Sequence, residues 1–413
     1  MLTPKAQPDL NVVSPENLLD PVPLYRRLQE EDPVHWSEPM RAWFVTRHED
    51  VTALFRDPRL TANRTQLFME QLRHVGLELI KDQMEMTALQ MINSDGAEHA
   101  RRRRNANPGF TTQAMDHWRP TILRIVESLL DKVQHQGRMD LVSDLAGPFP
   151  LHVIMELFDI PHEIREDFVR WSFDVVGLFG APVGADVKAL AIKGNTAAKE
   201  FLDYMSGLVE VRRAKPGRDL LSIMIHAEEE GRLDKLELIA NLNVISIAGH
   251  ITTVDQLSNS VHLLLTHPEQ FQQLKENPSL MKSAVEEMLR YSPAVPFMHR
   301  VVLEDIELHG RTIKRGQIVF LGMAAANRDP KVFPEPDRFD ITRENSRHVS
   351  FAFGPHTCLG ATLARYDLEI GLGALLERLP DLRLDTEQPA RVKCHSLVFR
   401  GFDALPLRWS PKA

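Results

Sequence analysis

The sequence predicts a mainly α-helical protein with a small β region, and three features carry that reading. Apolar residues recur at helical spacing over most of the chain, as in His117–Val133 and Leu141–Leu157. The longest such run starts near Asp234 and ends before Pro268, about 45–50 Å of helix and enough to cross a domain. β-prone runs are short by contrast: Trp43-Phe-Val-Thr46, and the alternating stretch Ile306–Phe320 around His309-Gly310 and Arg315-Gly316.

Composition sets outer limits. The chain has 413 residues, 43% hydrophobic and 26% charged, the balance of an ordinary globular protein. A net charge of −8 argues against a generic nucleic-acid binder. The two cysteines, Cys358 and Cys394, suit a reducing cytoplasm and leave no disulfide scaffold. The opening Met-Leu-Thr-Pro-Lys-Ala-Gln-Pro-Asp has no apolar run, so neither signal peptide nor membrane anchor is expected. One domain over 1–413 is expected, monomeric and cytoplasmic.

Taken in order, residues 1–23 are rich in Pro and Asn and are expected to lie extended on the surface. A strand at Trp43–Thr46, a helix at Asp50–Phe55 and a turn at Asp57-Pro58 follow. From Arg64 to Met91 apolar residues are scattered without clear punctuation. Glu98-His-Ala-Arg-Arg-Arg-Arg-Asn105 places His99 and Arg103 four apart, so both can reach one anionic group. Two helices are expected in Ile164–Arg212, around a flexible joint of small residues at Phe179–Gly184. Asp234 with Glu237 three residues on is a capping-box signature for the long helix.

In the middle of that helix Gly249 costs about 1 kcal/mol relative to alanine. It marks either a gap where backbone approaches a ligand or a tight helix crossing. Glu287 and Arg290, three apart on a helix, form a pair capable of bidentate bonding.

Phe351-Ala-Phe-Gly-Pro-His-Thr-Cys-Leu-Gly-Ala-Thr-Leu-Ala-Arg365 organises the rest. Gly354 and Pro355 force a turn, and beyond Gly360 the leucines 368, 372, 375 and 379 return at helical spacing until Pro380. Cys358 therefore stands at a helix N-terminus, where backbone N–H groups and the helix dipole favour thiolate. Taken alone it fits three roles: a small buried hydrophobe, a nucleophile with His356 as base, or an axial haem ligand.

Phe-x-x-Gly-x-His-x-Cys-x-Gly, from Phe351 to Gly360, resembles the haem-ligand loop of the cytochrome P450 family. The resemblance extends over nearly the whole chain and implies that fold, with haem b between the long helix and the Cys358 loop. It implies that Cys358 is the iron ligand and that Phe351 and Gly360 belong to the cofactor-binding loop. His99, Arg103, Arg300 and His356 would hold the propionates, and Ala248, Gly249 and Thr252 would form the oxygen-binding part of the long helix. Glu287 and Arg290, with Arg338 as third member, match the family's buried structural network.

Ile245, Val295, Phe297 and Val398 are the expected substrate contacts, with the 397–399 turn closing the pocket. The joint at 179–184 would be a mobile lid, and Arg64–Met91 would cover the substrate. The implied activity is monooxygenation of an apolar small molecule, often in specialised metabolism, with electrons from a ferredoxin. Some of Arg101, Arg102 and Arg104 would attract that partner.

Two positions depart from the family pattern. Ala352 stands where glycine is usual. Ile251 stands where an acid normally feeds protons, so protons would come through Thr252, Thr253, water, His250 or the substrate. A structural role suits His250 better, and Asp255, one turn on, is a candidate displaced acid. The missing acid keeps open a peroxide-using, coupling or desaturating enzyme, and a non-catalytic haem sensor is the alternative from another class.

Overall fold

The computed structural model describes residues 10–177, 185–229, 233–344, 347–379, 381–394 and 398–411. Helices dominate, and the strands gather into small sheets. The largest sheet runs in the order Val34–Ser37, Ala42–Val45, Ile318–Gly322, Phe297–Val302, Leu60–Thr61. Its pairs are antiparallel except Ala42–Val45 against Ile318–Gly322. The hairpin Ile306–Leu308 with Arg311–Ile313 turns on His309 and Gly310, both at positive φ (47° and 72°), the geometry of a tight two-residue turn.

The N-terminal expectation needs correction. Residues 15–19 and 22–31 are helical, not extended. Ser14 caps the first helix by accepting from the Asn17 N–H, and Leu24 and Leu28 give the second a buried face.

The axis of the molecule is the helix Lys235–Thr266, 32 residues or about 48 Å. Its capping box is complete: Asp234 accepts from the Glu237 N–H at 2.7 Å, and Glu237 accepts from the Asp234 N–H at 3.2 Å. Glu237 also binds Arg101 (2.8 Å) and Arg102 (3.0 Å), and the Arg101 bond leads in holding its carboxyl down to about 2. Arg102 is buried in this clasp and Arg101 is half-buried, so of the three candidate docking arginines Arg104 alone is exposed. Two members of the run thus anchor the start of the long helix rather than present free charge.

Helix Pro148–Phe158 crosses the long helix at Gly249. A Cβ at Gly249 would come within 2.6 Å of Ile154 Cδ1. The glycine's helix cost is therefore offset by a close crossing. Helix Ala361–Arg378 follows the Cys358 loop and packs beneath the long helix. The joint at 179–184, read from sequence as a lid, lies outside the described residues, as does Leu397.

Candidate active site

The long helix and the Cys358 loop enclose a cavity of about 260 Å³ whose wall is mainly apolar. The helix supplies Ile245, Ala248, Gly249 and Thr252; the loop supplies Phe351, His356, Cys358 and Gly360; His99, Arg103 and Val295 are the other expected residues on the wall. Eleven residues separated by up to 261 positions in sequence therefore share one wall.

The loop is held by its own backbone. The Cys358 N–H donates to Phe351 O at 2.8 Å, and the Ala352 N–H to Val349 O at 2.9 Å. Ala352 has φ +59°, a left-handed conformation that costs an L-residue about 1–2 kcal/mol. The usual glycine is therefore a backbone requirement that this chain meets with strain.

Cys358 opens onto the cavity, where its sulfur is accessible, while protein surrounds its other sides. Burial pushes its thiol up, against the Gly360 N–H and the charges of Arg103 and Arg365, and burial prevails. The Gly360 N–H at the helix start favours thiolate, as the sequence suggests, without outweighing burial; a metal ligated there would displace the proton. Among the described residues no group of three or more His, Cys, Asp or Glu side chains is placed to hold a metal ion. A lone cysteine suits a metal that brings its remaining ligands in a prosthetic group.

One edge of the cavity, beside the Cys358 loop, is basic. His99 and His356 stack with centroids 3.9 Å apart, and Arg103 donates to Pro355 O at 3.3 Å. Arg300 is buried behind them, its guanidinium over the Phe55 ring, and is not part of the cavity wall. Buried Arg64 donates to Asn93 Oδ1 at 2.9 Å and to Ile92 O at 3.1 Å. Burial lowers the whole group: Arg300 to about 10, Arg64 to about 9, His99 to about 4.

Asp95 is the carboxylate inside this cluster. It binds His356 at 3.4 Å, the Ala62 N–H at 3.1 Å and the Thr61 hydroxyl; burial pushes its carboxyl up, but these bonds hold it below the usual range. One carboxylate beside three arginines, Arg64, Arg103 and Arg300, leaves positive charge that an anionic ligand would neutralise. The residues thus fit a group with carboxylates at one edge and a thiolate-binding metal at its centre.

Behind the loop, Glu287 and Arg290 are fully buried and joined at 2.7 and 2.8 Å. The third member is Arg343, with Nε 3.2 Å from Glu287, not Arg338. Arg338 is exposed, pairs with Glu335 and gives the network only its carbonyl, to Arg290 at 3.2 Å. Arg338 stands in Pro336-Asp-Arg-Phe339, and the chain turns so that the arginine five residues later points inward.

Two expected pocket residues lie elsewhere. Phe297 packs edge-on against Tyr25, Phe44 and Phe320 on the opposite face of its strand, and its neighbour Met298 faces the cavity. Strand alternation sends adjacent residues to opposite faces. Val398 is outside the cavity wall; the Arg400 N–H ties this turn to Ala294 O at 2.8 Å, with Asn259 on Arg400 O at 3.0 Å. Met91, Ile92 and Met323 also line the cavity, and no periodic pattern marked them.

Thr252 donates to Ala248 O at 2.7 Å from within the cavity wall. Ile251 is buried and faces away from the cavity. Asp255 is no displaced acid for this site: it is fully buried, binds Lys393 at 2.6 Å and is packed against Gly401. His250 bonds to Gly147 O at 3.2 Å and is held down to about 4 by burial, in keeping with a structural role.

Similarity to known proteins agrees with this geometry. The family model for cytochrome P450 matches residues 190–396. The polyketide biosynthesis cytochrome P450 PksS of Bacillus subtilis is 36% identical over 401 residues, covering 95% of this chain and 96% of the relative. The cytochrome P450 monooxygenase PikC of Streptomyces venezuelae is 35% identical over 409 residues, covering 97% and 94%. The crystal structure of CalO2 superposes with a TM-score of 0.90 at 33% identity, covering 97% of this chain and 99% of that one. No described helix is long and apolar enough to cross a membrane. The chain belongs to the cytochrome P450 family and is one of its monooxygenases.

Proposed function

We propose that the protein inserts one oxygen atom of O2 into an apolar small molecule of specialised metabolism, using haem b bound at Cys358 and electrons from a ferredoxin. The observation that carries this is the sharing of one apolar cavity by Cys358 and Thr252, with a basic wall at its edge. Relatives named for polyketide biosynthesis support the metabolic setting. The reading takes 1–413 as one domain, a monomer in the cytoplasm.

Haem, when bound, supplies the oxidising chemistry. The chain supplies the rest. Cys358 would present sulfur as ligand, Phe351 and Gly360 shape its loop, and His99, Arg103 and His356 would hold carboxylates, with Arg300 adding positive charge from behind them. Ile245, Val295 and Met298 bind an apolar substrate and exclude water. Gly249 brings backbone close to the cavity beside Ala248. Thr252 can hold or pass one proton at Oγ1, and its bond to Ala248 O keeps that hydroxyl in place.

A second enzymatic reading rests on Ile251. The cavity wall contains no carboxylate among the described residues, so a peroxide-driven, coupling or desaturating reaction would need less of the proton supply that is missing. Turnover with a ferredoxin system against turnover with peroxide decides between them. Efficient ferredoxin-driven hydroxylation supports the proposal; product from peroxide alone overturns it. Ile251→Asp is expected to retain or speed coupled turnover, and abolished activity with haem retained would contradict this role for the position.

A further inference from the structure

Two adjacent carboxylates on helix Met281–Tyr291 perform different tasks. Glu287 serves the buried arginine network. Glu286, rotated about 100° around the helix, faces the Cys358 loop instead. It grips Arg365 with both oxygens, Oε1 to Nε at 2.5 Å and Oε2 to Nη2 at 3.0 Å. It also takes His348 Nε2 at 3.2 Å. The Ser350 N–H donates to His348 Nδ1 at 3.3 Å, which leaves Nε2 as the protonated nitrogen facing Glu286.

Both partners converge on one aromatic ring. The Arg365 guanidinium lies 4.6 Å from the centre of Phe351, and the His348 ring 5.9 Å from it. Phe351 in turn accepts the Cys358 N–H and lines the cavity. The Arg365 charge favours a Cys358 thiolate more weakly than the Gly360 N–H and Arg103 do. Burial pushes the Glu286 carboxyl up, but His348 and Arg365 outweigh it and bring it to about 2, so it is a full charge at neutral pH. His348 is almost completely buried, while Glu286 and Arg365 are about 30% exposed, so their charges are only partly screened.

We propose that Glu286 is a positioning residue for the ligand loop: by holding Arg365 against the Phe351 ring and anchoring His348, it sets the net charge felt by Cys358 and so the reduction potential of the bound haem. Charges and hydrogen bonds behind an axial sulfur are recognised levers on haem potential. The inference rests on Cys358 being the iron ligand.

The test is potentiometric titration of the haem-loaded full-length protein and three variants: Glu286→Gln, Arg365→Gln and the double substitution. The wild type is first checked for the red-shifted carbon monoxide band; its absence defeats the ligand assignment itself, separately from this inference. Glu286→Gln removes a negative charge and is expected to raise the potential. Arg365→Gln removes a positive charge and is expected to lower it, with the double variant closer to wild type than either. A merely structural role would alter haem retention without this pattern of opposite signs. A wild-type or lowered potential in Glu286→Gln overturns the proposal. If that variant does not retain haem, Arg365→Gln against Arg365→Lys decides: a lowered potential in the glutamine variant, partly restored by lysine, supports it, and an unchanged potential in the glutamine variant overturns it.

Discussion

The two sides of the cavity are built on different principles. The Cys358 side is polar, charged and locally encoded: a backbone-bonded loop, the buried Glu287–Arg290–Arg343 network and the Glu286 clamp all lie within helices and loops that follow one another from 281 to 378. The opposite side is apolar and assembled from distant segments, with Met91, Ile92, Ile245, Val295, Met298 and Met323 meeting only in the fold. In the proposed reading one side holds a fixed chemical group in fixed geometry, and the other accommodates an apolar substrate, a task that adaptable methionines suit.

Breaking the charged side should cost most. Glu287→Ala leaves the buried Arg290 and the half-buried Arg343 without their carboxylate, a loss of about 3–5 kcal/mol. Chemical denaturation should show this loss, together with haem binding reduced beyond what any single apolar substitution causes. If stability stays within 1 kcal/mol, as an order-of-magnitude threshold, the network does not brace the loop.

At the boundary between the sides, Thr252→Ala is expected to cut coupled product formation by about 10²-fold, the low end for losing a positioned proton donor. Electron consumption should fall far less. Equal losses in both would mean that the hydroxyl does not handle the proton.

On the apolar side, Phe297→Ala and Met298→Ala separate packing from substrate contact. Phe297→Ala should lower stability by about 3 kcal/mol with substrate affinity little changed. Met298→Ala should weaken substrate-induced spectral shifts with a smaller stability cost. The reverse pattern would restore Phe297 to the pocket.

What was legible in the sequence follows the same division. His99 with Arg103, Glu287 with Arg290, and Phe351 to Gly360 are contiguous or spaced by helix geometry, so a local pattern marks them and the family resemblance gives them their roles. Arg338 was a near miss because the meander after Pro336 has no period from which to tell which arginine turns inward. Phe297 was missed through strand alternation, where an error of one residue exchanges the faces. Asp95 and Arg64 carried no recognisable spacing, since their partners Thr61, Ala62, Asn93 and His356 come together only by tertiary folding. The arginine run was partly misread because Glu237, which binds two of its members, lies about 135 residues away in sequence.

Two smaller effects sharpen the comparison within the backbone. Gly249→Ala should cost about 1–3 kcal/mol through overpacking against Ile154. Ile154→Ala in the same chain should recover part of it, and no recovery would mean that the crossing is not the reason for the glycine. Ala352→Gly should gain about 1 kcal/mol by removing left-handed strain, less the entropy of the added glycine. A loss in thermal unfolding would show that the loop is relaxed with alanine in place.

The most direct measurement is the absorption spectrum of the purified, reduced protein under carbon monoxide, compared with Cys358→His. Wild type is expected to give the red-shifted band of a thiolate-bound porphyrin, and the variant to lose it while still binding haem. A wild-type spectrum without that band, or an unchanged spectrum in the variant, would contradict sulfur ligation at residue 358.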